Sequence, residues 1–170
     1  MVALKRRGVT LMEMMITVGI VSVVFSIAAP ILTQANRQFI LNRTRVELQQ
    51  EARAIMYIVT RNLRQAQGSS ITISRAGLLQ PFYSKITFTK QTATAGVSPT
   101  LVFQQEGTYL YQVIGTGKRP ISKNLKYLAF TFPRSDDMGI ISVSLTLEKQ
   151  IFEGRSKALH MASEKVRIMN

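Results

Sequence analysis

An apolar run opens directly behind Lys5-Arg6-Arg7-Gly8 and continues to Leu32, and between Val9 and Leu32 the only ionisable side chain is Glu13. As a helix with about 1.5 Å rise per residue, these 24 residues reach about 36 Å, enough to span a bilayer. Beyond Leu32 the pattern turns amphipathic. Val46, Ala52, Ile55, Met56, Val59, Leu63 and Ala66 recur mostly by steps of three and four, which predicts a one-sided stripe packed on a core. Glu47, Glu51, Arg53, Arg61 and Arg64 fall mostly on the rest of the circumference. Pro30 lacks a backbone donor and predicts a kink rather than an end. A stop follows near Gln67-Gly68-Ser69-Ser70, so one long helix is expected from about Val9 to Gln67.

From Ile71 onward the period becomes two. Strands are predicted at Ile71–Ser74, Lys85–Thr89, Thr100–Gln104, Tyr109–Ile114, Leu125–Phe132 and Ile140–Leu147. Gln105-Glu106-Gly107-Thr108 reads as a hairpin turn, and Pro133 to Gly139 as another connection. Lys157–Met169 has both helical and alternating spacing; a final strand is favoured. Five to seven short strands against the amphipathic half of a long helix make an α+β arrangement.

Composition narrows the chemistry. The chain has no cysteine, so neither disulfides nor a Cys-ligated metal is possible, and the region after Leu32 must hold together by its core alone. Of 22 Lys/Arg against nine Asp/Glu, residues 33–67 hold six Arg against two Glu, and residues 68–170 hold thirteen against six. That balance favours anionic surfaces, lipid headgroups or nucleic acid. No aromatic–basic repeat, helix-turn-helix pattern or zinc ligand set accompanies it.

Glu13 is the costly residue. A charge at membrane depth costs several kcal/mol on most scales, so it is usually functional and partnered. Cutting the chain after Gly8 creates a partner, the α-amine of Val9. Three plainer readings compete. A secretory signal peptide fits the basic start and Ser26-Ile27-Ala28, but not Glu13 or Pro30. A signal anchor explains the length and leaves Glu13 unexplained. A buried helix of a soluble protein does not suit so long an apolar run. Lys5, Arg6 and Arg7 orient the N-terminus to the cytoplasm, with everything after Leu32 on the periplasmic side.

Gly8-Val9-Thr10-Leu11-Met12-Glu13, between a basic leader and an apolar helix with Pro30, resembles the signature of the type IV prepilin family. That family usually has Phe after the glycine; here Val9 stands there. The resemblance implies a type IV pilin-like fold and a division into a removed leader (1–8), a transmembrane and assembly helix (9–32), its amphipathic half (33–67) and a β-rich periplasmic domain (68–170). It implies cleavage between Gly8 and Val9 by a prepilin peptidase, and N-methylation of Val9. Glu13 would pair with the N-terminal amine of a neighbouring subunit. The partners are then other minor and major pilins or pseudopilins, the peptidase and the bacterial inner membrane, crossed once, with later residence in a filament.

Leu48-Gln49-Gln50-Glu51-Ala52-Arg53, Arg61–Ala66, Gly107–Tyr111, Asn124–Phe130 and Lys165–Asn170 further resemble the type II secretion J subunit and PilW minor pilins. This implies a minor subunit at the tip of a secretion pseudopilus or a pilus. The alternative is a basic periplasmic binding subunit of such a filament that contacts DNA or an exported substrate.

Little suggests an enzyme. His160 is a lone histidine, and no serine sits in a nucleophile motif. Asp136 and Asp137 are adjacent carboxylates in an expected loop, and a hard cation needs six to eight oxygen ligands; a solvated turn is the simpler reading. Met12, Met14 and Met15 are read as lipid-facing or subunit-facing packing. No cofactor and no metal is expected.

Overall fold

The computed structural model describes residues 8–90, 99–152 and 156–169; Lys5, Arg6 and Arg7 of the leader, and Asn170, lie outside the described residues. Helix α1 runs without interruption from Leu11 to Arg64, through Pro30. The chain forms two compact units, one up to Asn42 and one from Arg43 onward.

In the first unit α1 carries its apolar side chains outward: Leu11, Met12, Met14, Met15, Ile16, Phe25 and Leu32 are all exposed. The helix is long and apolar enough to cross a membrane. Its hydroxyls are consistent with that solvent. Thr17 Oγ1 donates to the Met14 carbonyl at 2.9 Å, Ser22 Oγ to Val18 at 2.7 Å and Ser26 Oγ to Val23 at 2.8 Å. Thr33 Oγ1 donates to the Pro30 carbonyl at 2.8 Å. Each hydroxyl is thus satisfied by its own helix, as a lipid environment requires.

In the second unit the stripe of α1 is set by Thr44, Leu48, Ala52, Ile55, Met56, Val59, Thr60 and Leu63, all buried. Val46, predicted as core, is instead half exposed, and Leu48 takes its place with no exposure at all. The reason is angular: at 100° per residue, Leu48 sits one turn before Ala52, whereas Val46 points to the far side. Glu51 also leaves the solvent face expected for it. It accepts hydrogen bonds from Ser122 Oγ at 2.7 Å and Asn124 Nδ2 at 2.8 Å.

Eight antiparallel strands are described: β1 (Thr72–Ser74), β2 (Lys85–Thr89), β3 (Thr100–Glu106), β4 (Tyr109–Ile114), β5 (Gly117–Ser122), β6 (Leu125–Thr131), β7 (Ile140–Phe152) and β8 (Ser156–Arg167). They form a five-stranded sheet in the order β1-β2-β3-β4-β5 and a three-stranded sheet in the order β6-β7-β8. With α1 this is a pilin-like α+β fold. The ambiguous C-terminal segment is strand, paired along β7 from Ile140↔Arg167 to Phe152↔Ser156.

Strand β5 brings the described strands to eight, beyond the five to seven expected. Its Lys118-Arg119-Pro120 has no apolar alternation, and Pro120 cannot donate to a ladder. It is accommodated because β5 is an edge strand whose register shifts at Leu110/Tyr111. The turn that leads into it repeats the one before. Gly107 (φ +60°) and Gly115 (φ +57°) each precede a threonine and open a two-residue hairpin loop, where a positive φ at the first position suits glycine. Gly115-Thr116 is the signal that identifies the second hairpin.

Inward positions of both sheets meet the stripe. Ile86, Phe88, Leu101, Phe103, Leu128, Phe130, Ile141, Val143, Leu145 and Leu147 join Leu48, Ala52, Ile55, Val59 and Leu63 in one cluster. Phe88 and Phe103 stack with centroids 6.1 Å apart. Tyr83 is held at φ +62°, and its carbonyl accepts from the Phe130 amide at 2.9 Å, which ties the β1–β2 loop to the other sheet.

The register of α1 has a direct test. Leu48→Ala lowers the unfolding free energy by about 2–5 kcal/mol, whereas Val46→Ala changes it by less than about 0.5 kcal/mol. Urea unfolding of the full chain in micelles reads both; equal losses would contradict the stripe described above.

Candidate functional site

The helix start is built by Thr10 and Glu13. Thr10 precedes the first helical residue, and its Oγ1 accepts from the Glu13 amide at 3.3 Å. In return Glu13 Oε2 accepts from the Thr10 amide and from Thr10 Oγ1, each at 3.1 Å. This is a reciprocal capping box, which satisfies donors that the first turn leaves orphaned. The carboxylate also lies at the positive end of the helix dipole. Glu13 is therefore positioned without any second chain: one oxygen is engaged by Thr10, and the group is exposed at the helix terminus. Sequence reading missed this local role, although Thr-x-x-Glu before an apolar run is its usual signal.

Gly8 and Val9 lie directly ahead of the cap. A Cβ built on Gly8 meets nothing within 4 Å, and its backbone is outside the positive-φ range that favours glycine. The fold does not require glycine there. Val9 is exposed, as are Leu11 and Met12. Pro30 lies well along α1, remote in sequence from the cap, and the helix passes through it.

The remaining candidates disperse. His160 is half-buried on β8, opposite Leu147. Asp136 pairs with Arg134 at 3.0 Å, and Asp137 Oδ1 accepts from the Gly139 amide at 2.8 Å. Among the described residues no three His, Cys, Asp or Glu side chains gather to hold a metal.

Most other carboxylates are engaged inside the second unit. Glu47 pairs with Lys149 at 2.7 Å and Arg43 at 3.2 Å, and the Lys149 ammonium beside it holds its carboxyl below the usual glutamate range. Glu148 lies between Lys157 at 2.6 Å and Lys126 at 3.7 Å, and is lowered chiefly by its hydrogen bond from Lys157. Glu106 binds Lys118 at 2.6 Å.

Residues 3–29 match the family described as the prokaryotic N-terminal methylation motif. No curated protein and no solved structure matches the chain. The matched segment contains Gly8, Val9, Thr10 and Glu13, the residues that the geometry gathers at the helix start. The chain thus carries a type IV prepilin-like N-terminal methylation motif. The matched segment includes the apolar start of α1, the helix that is long and apolar enough to cross a membrane. The nucleic-acid contact raised by the charge balance gains no support from the match.

The capping box predicts a local effect. Thr10→Val removes the hydroxyl that caps the Glu13 amide, a change of about 1 kcal/mol, or roughly fivefold faster hydrogen exchange at that amide. Exchange measured by NMR on the full chain in micelles checks it; an unchanged Glu13 amide would show that the cap does not form.

Proposed function

We propose that a prepilin peptidase cuts this chain between Gly8 and Val9, that the freed Val9 amine is methylated, and that Glu13 then docks on the N-terminal amine of a neighbouring subunit. Gly8 carries this reading. It is a glycine that folding does not need, since its Cβ position is open, so its presence is explained by an enzyme that must approach the backbone closely. The register of Glu13 five residues later supports the same conclusion. An ion pair in hydrocarbon costs much less than either charge alone, and removing one member leaves an uncompensated charge. Glu13 then sets subunit register more than it adds net stability.

The finer assignment is a minor subunit at the tip of a type II secretion pseudopilus or a type IV pilus. It is supported by the resemblance of the stem and strand segments to J-subunit and PilW proteins: Leu48–Arg53 and Arg61–Ala66 on the stem, Gly107–Tyr111 at the β3–β4 hairpin and Asn124–Phe130 along β6. The orientation follows the basic leader, with the N-terminus in the cytoplasm and the strands in the periplasm. The leader ends at Gly8, the membrane segment spans 9–32, its amphipathic continuation 33–67 and the β-rich domain 68–170.

Gly8→Leu tests the processing step. The variant accumulates as a membrane precursor that retains residues 1–8 and enters no filament, whereas the parent chain yields a mature form starting at Val9 with one added methyl group. Intact-mass analysis of both forms decides it. A mature terminus at any other residue would overturn the assignment.

A further inference from the structure

An exposed face of α1 in the second unit carries Arg53, Tyr57, Arg61 and Arg64, spaced so that they project on one side of the helix. Between this face and the five-stranded sheet lies a cleft of about 400 Å³ lined by Tyr57, Arg61, Asn62, Lys90, Gln112 and Arg119, with Ile58 and Ile121 as apolar flanks. No carboxylate lines it. An adjoining cleft of about 600 Å³ shares Tyr57 and Arg61 and adds Arg53, Arg64 and one acid, Glu164. Among the described residues, none of these five cations, on α1, on β5 and just after β2, has an ion-pair partner.

We propose that the cleft between α1 and β5 receives a carboxylate-bearing segment of a different protein chain in the filament, with Arg61, Lys90 and Arg119 as its counter-charges. This inference rests on the filament-subunit reading. Three observations select the occupant. The cations converge with a tyrosine and apolar side chains, the mixture that anchors protein–protein interfaces, and guanidinium groups bind carboxylates in a fixed fork. A nucleic acid is disfavoured, because a phosphate backbone needs cations along an open track and this is a short cleft walled by Ile58, Pro120 and Ile121. A second copy is disfavoured because this chain's own acids are largely engaged. Glu47, Glu106, Asp136 and Glu148 are in ion pairs, and Glu51 and Asp137 accept internal hydrogen bonds. From residue 43 on, moreover, eighteen Lys/Arg face eight Asp/Glu, so two copies repel.

The test is zero-length carbodiimide cross-linking of host membranes that contain the processed, assembled subunit, followed by peptide mass analysis. The expected product joins Lys90 to an aspartate or glutamate of another protein. Arg119→Glu reduces its yield at least about tenfold, Arg119→Gln by less, and neither variant shifts the melting temperature of the purified chain. The proposal is overturned if Lys90 stays unlinked, if it joins this chain's own sequence, or if Arg119→Glu leaves the yield unchanged. Protection of Lys90 from acetylation by added duplex DNA, at near-physiological salt, would also overturn it. Cross-links from elsewhere in this chain to other pilins, with Lys90 unlinked, would remove the cleft assignment alone. Absence of any cross-link to other pilins would count against the filament reading as well.

Discussion

A single carboxylate placed among apolar side chains governs this protein. Glu13 is the third residue of α1, in a segment otherwise without charge to Leu32, and in hydrocarbon such a group demands a partner. The isolated chain supplies a partial answer through Thr10, whose amide and hydroxyl both approach one carboxylate oxygen at 3.1 Å. Neither donor carries charge. The capping box therefore positions Glu13 without supplying a counter-charge, which suits the proposed docking on an amine of another subunit. Structure and chemistry meet here: the same Thr-x-x-Glu spacing starts the helix and presents the acid.

The second unit solves a different problem. It has no disulfide, so packing must hold it together. The buried stripe from Thr44 to Leu63 supplies one wall, and two antiparallel sheets supply the others. Side-chain ties fix the helix to the strands: Glu47 to Lys149 on β7, and Glu51 to Ser122 and Asn124 around the end of β5. These ties also engage acids that would otherwise balance the surplus of arginine and lysine. What remains on the surface, among the described residues, is a set of cations without counter-charges, gathered where Tyr57 and Arg61 border both clefts.

Much of this was legible from residue order, and the failures have physical causes. Long-range periodicity identified the helix, and β2 and β4 were predicted with their observed bounds, Lys85–Thr89 and Tyr109–Ile114, because alternation was clean. Strand β5 was not, since edge strands tolerate the proline and charges that an inner strand rejects. Val46 was misplaced because an isolated valine six residues before Ala52 leaves the phase of the stripe open; Leu48 fixes it. In Thr10-Leu11-Met12-Glu13 the family signature coincides with the Thr-x-x-Glu capping signal and masks it. The cationic cleft lay beyond sequence altogether. Arg61 belongs to α1, Lys90 follows β2 and Arg119 belongs to β5, and only the folding of the sheet against the helix brings them to one cavity.

Glu13→Gln keeps size and much of the hydrogen bonding to Thr10 while deleting the charge, so it separates helix capping from docking. Quantifying this variant in purified filaments, alongside its processing at Val9, gives the most direct measurement. The account predicts normal cleavage, a stable membrane subunit and a loss of filament incorporation of at least about tenfold, as expected when one member of a buried ion pair is removed. Incorporation at the parental level would contradict it.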